Sequence, residues 1–404
     1  MKKFALKKSA LVVASLMAAP AALAQQLPRQ DTAEDTSGLE VIQVTAQRRV
    51  ENLQEVPVSV TAISPTDLER KNVSDVYQMS LNAPSFQIGE DNSMSIRGAG
   101  TLAFSTALDS SVAVAFDEVN LGRRFLMGAV FNDISQIEVL SGPQGLLFGK
   151  NASAGLVNIT TAKPQLGFSE GKIDVEYQLR DTTPKDGASI ITRGMYNLPL
   201  SDTSAIRINA HYASEDPVAR AIKVVGDPRL DETTDDYGVK IKYLNELSDE
   251  LSLYIIADTN KESGVAGNFD RTFRSLGEGS GKAGYVAADG VTPGKENLEY
   301  GADGDNYRDV EMGGLMAKLT YAINDNYELS NIIAWRYYEL LQSTDDNMAS
   351  NELNINFTDS EYDQFSNELR LAMDFESVRG QVGLYYFHSE QFQDTFLAGD
   401  GLLP

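Results

Sequence analysis

Two glycine-rich segments have the residue types and spacing that nucleotide chemistry would use. Gly98-Ala99-Gly100-Thr101-Leu102-Ala103 formally fits the dinucleotide fingerprint and follows the strand-like SMSI. No βαβ rhythm surrounds it, and an exported chain meets little nicotinamide cofactor. Gly149-Lys150 looks like the end of a phosphate loop, but Gln144 stands where the first glycine is needed and Asn151 replaces the Ser or Thr. Neither segment qualifies as a phosphate site.

The other reactive side chains form no catalytic set. The chain has no cysteine, which removes disulfides, thiol nucleophiles and thiolate metal sites. His211 and His388 are the only imidazoles, far apart in sequence, and read as residues of a β-wall rather than metal ligands. Gly167-Phe168-Ser169-Glu170-Gly171 matches Gly-x-Ser-x-Gly by spacing, but no strand–turn–helix pattern surrounds it, so it is no nucleophile elbow. Carboxylates abound, but no pair stands out for acid–base work. The reading is a non-enzyme, with no catalytic, cofactor-binding or metal-binding residues.

Composition bounds the partners. The formal net charge is −24. Residues 1–24 have the features of a secretory signal peptide: Lys2, Lys3, Lys7 and Lys8, then an apolar run from Ala10, then Ala22-Leu23-Ala24. Removing it takes four lysines and no acids, so the charge becomes −28. So acidic an exported chain is a poor nucleic-acid binder, because neutralising phosphates takes clustered Lys and Arg. No other apolar run is long enough for a helical span, so membrane insertion would have to use strands.

The elements that would position any functional residue follow in order. Residues 25–38 are polar and aperiodic, a disordered leader. LEVIQVTAQRR, Leu39 to Arg49, is an isolated apolar alternation, read as a strand with no neighbour in its vicinity. From about Val56 to Lys163 the pattern is a small α/β domain. VPVSVTAI, SMSIRG, SVAVAFDEV and segments within Gln136–Thr161 are strands. Ser64-Pro65-Thr66-Asp67 and Ser74-Asp75-Val76-Tyr77 start short helices. Gly142, Gly145, Gly149 and Gly155 fit compact turns rather than a helix.

After Pro164 the sequence becomes long alternating strands. Nine are expected, at about 171–180, 188–197, 204–213, 236–245, 250–259, 313–322, 327–337, 362–373 and 379–389. The connections, about 7, 6, 22, 4, 53, 4, 24 and 5 residues, alternate long and short after the first pair. A transmembrane barrel predicts that parity and a soluble sandwich does not. Trp335, Tyr337, Tyr327, Tyr243 and Tyr237 are placed near strand ends, where an aromatic girdle would lie.

QIEVLSGPQGLLFGKNASAGLVNI, Gln136 to Ile159, resembles the plug signature of TonB-dependent outer-membrane receptors. SMSIRGAG, Ser93 to Gly100, is similar to the family's earlier Arg-Gly element. Leu39 to Ser64 resembles the TonB box and the entry into the plug. QFSNELRLAM followed by GQVGLYYF, within Gln364 to Phe387, resembles a recurrent mid-barrel hairpin.

The resemblance implies a mainly β chain: signal peptide 1–24, leader 25–38, TonB box region 39–49, plug 50–164, and an incomplete antiparallel transmembrane β-barrel over 165–404. About nine of an expected 22 strands are present, which reads as the N-terminal part of a longer receptor. It implies location in the outer membrane of a Gram-negative bacterium. The implied activity is uptake of a ferric siderophore or other iron chelate, powered through TonB and the inner-membrane energising complex. Cobalamin and oligosaccharides are alternative cargoes, and a non-functional remnant is the alternative fate. A signalling receptor and a passive porin are disfavoured, by the short leader and by the plug.

The same resemblance assigns Glu40, Val41, Ile42, Gln43, Val44, Thr45 and Ala46 to edge-to-edge pairing with TonB. Arg97 would pair with barrel acids such as Asp174, Glu176 and Glu368. Gly98, Gly142, Pro143, Gly149 and Gly155 would serve backbone geometry. Outward loops near Ala99–Ala107, Asn120–Gly128 and 260–312 would meet the substrate. Two departures stand out: Ser141 occupies a commonly basic position, and Glu118 sits where an Asp-Gly turn is frequent.

Overall fold

The computed structural model describes residues 43–45, 48–49, 51–71, 73, 76–88, 93–101, 109–123, 126, 132–181, 187–217, 219–230, 233–264, 287–292, 299–345, 349–350 and 354–399. The export segment, the leader, and Glu40, Val41, Ile42 and Ala46 lie outside the described residues.

The N-terminal domain contains β1 (Gln43–Val44), β2 (Glu51–Asn52), β3 (Val60–Ile63), α1 (Pro65–Arg70), α2 (Val76–Asn82), β4 (Phe86–Ile88), β5 (Met94–Ile96), β6 (Ala99–Gly100), β7 (Val112–Phe116), β8 (Val119–Leu121), β9 (Ile134–Ser141), α3 (Gly145–Phe148) and β10 (Gly155–Thr161). Its central sheet has five strands in the order β3-β9-β10-β7-β8. β10 and β7 run parallel, and the other pairs are antiparallel. Alternation sends Ile137, Val139, Val157 and Ile159 to one face, where Leu68, Val76 and Met79 of the helices cover them. Leu140, Leu156, Ala113 and Ala115 line the other face with Phe148. The expected cap of α1 is present: the Asp67 N–H donates to Ser64 Oγ at 3.2 Å.

Two expectations change in this domain. The glycine-rich middle contains a single helical turn, α3, closed by the Phe148 and Gly149 N–H groups on the Gln144 and Gly145 carbonyls. Burying Phe148 and half-burying Leu147 compensates for the glycines' poor propensity. The isolated strand at residue 39 onward is not isolated where it is described, since β1 pairs antiparallel with β2.

The rest of the chain comprises β11 (Glu170–Arg180), β12 (Gly187–Pro199), β13 (Ser204–Glu215), β14 (Arg220–Val224), β15 (Thr234–Glu246), β16 (Leu251–Gly264), β17 (Glu299–Ala302), β18 (Tyr307–Asn324), β19 (Tyr327–Asp345), β20 (Asn354–Asp374) and β21 (Arg379–Gly399). Nine of these make one antiparallel sheet in sequence order, omitting β14 and β17. This wall is open, with β11 and β21 as its edges among the described residues. Short connections 200–203, 247–250, 325–326 and 375–378 lie on one rim and the longer ones on the other.

Strands β18 to β21 run well past the expected ends. Their hydrogen-bonded ladder continues to Asp345 and Gly399, where outward positions mix acids such as Glu339, Asp359 and Glu361 with Phe392 and Phe396. Backbone pairing persists where side-chain alternation no longer signals it. Trp335 and Tyr337 therefore fall mid-strand and stack there at 5.1 Å, rather than near a strand end.

The long-loop rim is tied together. β14 and β17, from different loops, pair in parallel. Asp289, its carboxylate fully buried, accepts from Lys223 Nζ at 2.8 Å, Ser350 N at 2.5 Å and Ser350 Oγ at 2.6 Å. Burial would raise this carboxyl, but Lys223 and Ser350 hold it below the ordinary range.

Candidate functional site

The N-terminal domain packs on one face of the wall, and the two meet through hydrophobic contact and ion pairs. Val310, Met312, Tyr338, Leu340 and Tyr362 of the wall join the domain's main core cluster. Antiparallel register places Asn209, Lys240, Asp258, Gly314, Arg336 and Gln364 on one rung across this inner face. The outward face carries the adjacent rung Ile208, Ile241, Ala257, Leu315, Trp335 and Phe365. Of these, Ile208, Ile241, Leu315, Trp335 and Phe365 are exposed. The wall is thus polar inside and apolar outside.

Three carboxylates of the domain reach the wall. Asp133 is gripped by Arg207 Nε at 2.7 Å and Nη2 at 2.6 Å, Asn209 Nδ2 at 2.8 Å and Lys242 Nζ at 2.9 Å. Asp117 accepts from the Thr161 N–H at 2.7 Å and faces Lys240 Nζ at 3.7 Å. Glu118 meets Lys318 Nζ at 2.5 Å and Arg370 Nη2 at 3.7 Å. Burial acts to raise Glu118 and Asp133. Lys318 holds the first below the ordinary carboxylate range, and Arg207 with Lys242 does so for the second.

All three acids have left-handed backbone, with φ of 47° at Asp117, 69° at Glu118 and 56° at Asp133. A non-glycine residue there is strained by about 1–2 kcal/mol. Positive φ at both Asp117 and Glu118 makes the β7–β8 turn a primed hairpin type, the kind an Asp-Gly pair favours, so Glu118 takes left-handed backbone in glycine's place.

Arg48, also left-handed at φ 62°, links the N-terminal strand to the same network. Its Nη2 lies 3.6 Å from Glu368, its Nη1 donates to the Glu118 carbonyl at 2.8 Å, and its guanidinium lies 4.2 Å from the Phe148 ring centroid. Arg370 completes the cluster, 2.9 Å from Glu368.

The described part of the 40–46 segment is seated in the domain. Val44 is fully buried. Glu138, itself buried, accepts from the Thr45 N–H and hydroxyl and, at 3.0 Å, from Asn158 Nδ2. Gln136 Nε2 donates to the Gln43 carbonyl at 2.7 Å. Glu138 and Asn158 are the polar members of the sheet's second face, and Thr45 satisfies both.

Arg97 does not reach the wall. It is exposed, and its Nη2 donates to Ser59 Oγ at 2.8 Å. Asp174 and Glu176 are taken instead by Arg193, and Glu368 by Arg48 and Arg370. Two left-handed residues in a row, Arg97 at φ 53° and Gly98 at φ 76°, turn the β5–β6 hairpin, and Arg97 is directed to Ser59.

The glycines divide by cause. Gly142 and Gly149 have φ of 90° and 75°, with Pro143 exposed in the bend between β9 and α3. Gly155 has no such backbone need, but a Cβ there would stand 2.6 Å from Ile96 Cδ1 and closer still to the Leu140 carbonyl.

Of the loops expected to face substrate, only parts are described. Gly122 N donates to Gln364 Oε1 at 2.8 Å, and Arg123 Nε donates to Gln391 at 3.0 Å beneath the Tyr362 ring. Residues 102–108, 124–125, 127–130, 265–286 and 293–298 lie outside the described residues.

Sequence reasoning missed Arg48, Asp133, Glu138, Lys240, Lys242 and Lys318. The available signal was a charge at an inward position of an alternating strand, or an acid in a turn. That signal is common in so acidic a chain.

Residues 52–156 match the model of the TonB-dependent Receptor Plug Domain family. The chain is 26% identical over 217 residues to the iron-regulated outer membrane virulence protein of Vibrio cholerae, covering 51% of this chain and 31% of that protein. It is 28% identical over 171 residues to the vitamin B12 transporter BtuB of Vibrio vulnificus, covering 41% and 26%. Its fold is similar to the ferric yersiniabactin uptake receptor FyuA from Yersinia pestis, at TM-score 0.66 and 18% identity over 84% of this chain and 50% of that one. It is likewise similar to the ferripyoverdine receptor of Pseudomonas aeruginosa, at TM-score 0.64 and 14% identity over 90% and 46%. The match thus spans under a third of the length of these curated relatives and about half that of the solved structures.

Proposed function

We propose that this chain, whose residues 52–156 match the TonB-dependent Receptor Plug Domain family, is a TonB-dependent outer-membrane receptor that takes up a scarce nutrient through the outer membrane. The cargo proposed is a ferric siderophore or other iron chelate, in keeping with the names of several relatives. The energy would come through TonB from the inner membrane.

The observation that carries this reading is the two-faced wall with a folded domain on its polar side. An apolar outward rung suits lipid, and strands are the means by which such a chain crosses it. A plug fixed to the inner face blocks passive flow, so entry requires work on the plug. Residues 40–46 are the proposed handle. Edge pairing with TonB would use their backbone groups, once β1 leaves β2 and Thr45 leaves Glu138. Arg48 would then transmit the pull into the Glu368–Arg370–Glu118 cluster.

The test replaces Ile42 or Val44 with Pro in the receptor and follows iron-limited growth on ferric chelates together with binding of labelled chelate. Uptake should be lost while binding persists. Unchanged uptake would count decisively against the handle.

A further inference from the structure

Several charged residues of the inner wall differ in where their counter-charges come from. Arg193, Arg336 and Arg370 have carboxylates of the wall itself, Asp174 at 2.8 Å, Asp258 at 2.5 Å and Glu368 at 2.9 Å, whereas Arg207 is held by the plug's Asp133 at 2.6 Å and lies 3.8 Å from Glu170 of the wall. Lys240, Lys242 and Lys318 are paired instead with Asp117, Asp133 and Glu118, all on the plug. Asp258 stands directly across from Lys240 but is engaged by Arg336.

We propose that Lys240, Lys242 and Lys318 form a transit stripe for an anionic cargo, covered in the resting state by three plug carboxylates that stand in for the cargo's charge. The proposal rests on the receptor reading above and names the cargo class, an anion such as a carboxylate- or catecholate-bearing chelate.

The physical case has three parts. A buried cation stripped of its partner is costly, so an opening beside these lysines favours a replacement anion. Lysine presents a compact, flexible point charge, suited to passing an anion along, whereas arginine's fork fixes a carboxylate in place. Finally, the covering acids occupy left-handed backbone where glycine would be relaxed, with φ of 47°, 69° and 56°. Retaining a charged side chain at three strained positions makes sense when the charge itself is required.

The test uses the receptor as its own cell makes it, placed in planar bilayers under a KCl gradient, with no TonB present. The parent should conduct little. The variant D117N/E118Q/D133N should carry a current with chloride permeability several-fold above potassium. Adding K240Q/K242Q/K318Q should bring that ratio to about one. Glu118→Gln alone should act in the same direction and serves if the triple variant fails to reach the membrane. The swap E118K/K318E should close the plug again. A silent acid-neutralised variant, a potassium-selective current, or a ratio indifferent to the lysines would each overturn the proposal. Failure of the parent to support TonB-dependent uptake, with these electrical effects present, would instead count against the receptor reading alone.

Discussion

Lys242, a side chain with no exposed surface, donates from Nζ to Asp133 Oδ2 at 2.9 Å across the boundary between plug and wall. The same ammonium also donates to the Ala162 carbonyl at 2.6 Å, where the chain leaves the plug. One wall lysine thus fixes both a strained plug turn and the plug's C-terminal exit. Arg207 shares the carboxylate.

Replacing Asp133 tests that anchor. Asp133→Ala leaves the buried Lys242 without a counter-charge and Arg207 with only Glu170 at 3.8 Å, at a cost of about 3–5 kcal/mol. Asp133→Gly loses the same charge but relaxes φ 56°, and should be milder by about 1 kcal/mol. Urea-dependent loss of plug protection, read by hydrogen exchange of β9 and β10, gives the order. Glycine proving worse than alanine would argue against backbone strain.

Acid should release the plug in a defined window. Asp133 and Glu118 have folded-state affinities for protons below those of free carboxylates. Their stabilisation is therefore fully present above the unfolded pKa of about 4 and lost as pH falls through the lower folded value. Plug protection should be flat from pH 7 to about 5 and decline only below about 4. Hydrogen exchange across that range measures it, and a decline centred near pH 6 would point to a histidine instead.

Glu138 governs how tightly the strand at Gln43 to Thr45 is held in the domain. Glu138→Ala removes the acceptor for Thr45 and Asn158, and should cost about 1–3 kcal/mol locally. A cysteine placed at Gln43 should then react faster with a membrane-impermeant maleimide applied from the periplasmic side. Labelling unchanged from the parent would mean that Val44 burial alone holds the strand.

Gly155→Ala and Gly142→Ala should both destabilise the plug, for different reasons. The first drives a methyl to 2.6 Å from Ile96 Cδ1, an overpacking cost of about 1–3 kcal/mol. The second meets nothing within 4 Å and pays only for φ 90°, about 1–2 kcal/mol. Adding Ile96→Val should rescue part of the first and none of the second in a thermal melt.

Asp289→Asn should loosen the long-loop rim and leave the wall intact. It weakens the tie to Lys223 and Ser350, so amide exchange should rise in β14 and β17 while β18 and β19 stay protected. Parallel loosening of β18 would show that the rim and the wall are one cooperative unit.

The wall was largely legible because period-two alternation is enforced by two different solvents on its two faces. Ile208, Ile241 and Leu315 could be assigned outward from sequence, and the nine strands appear in the expected order. What alternation could not give was the upper length of β18 to β21, where acids interrupt the apolar outer face. Arg97 illustrates a second limit. Its type suited a buried ion pair, but left-handed backbone at Arg97 and Gly98 aims it at Ser59. Arg48, in a segment read as a free strand, makes the wall contact instead.

Sequence alone determined the composition of the two domains, the parity of their connections and the plug signature, because these depend on local periodicity and on residues close together in the chain. Only the tertiary structure decided which charges meet. Asp133 and Lys242 are separated by 109 residues, Glu118 and Lys318 by 200. In a chain with 58 acids and 34 basic residues, composition leaves such pairings open. Coulomb attraction is strong only within a few ångströms and out of water, and the packing of the plug on the wall supplies both conditions.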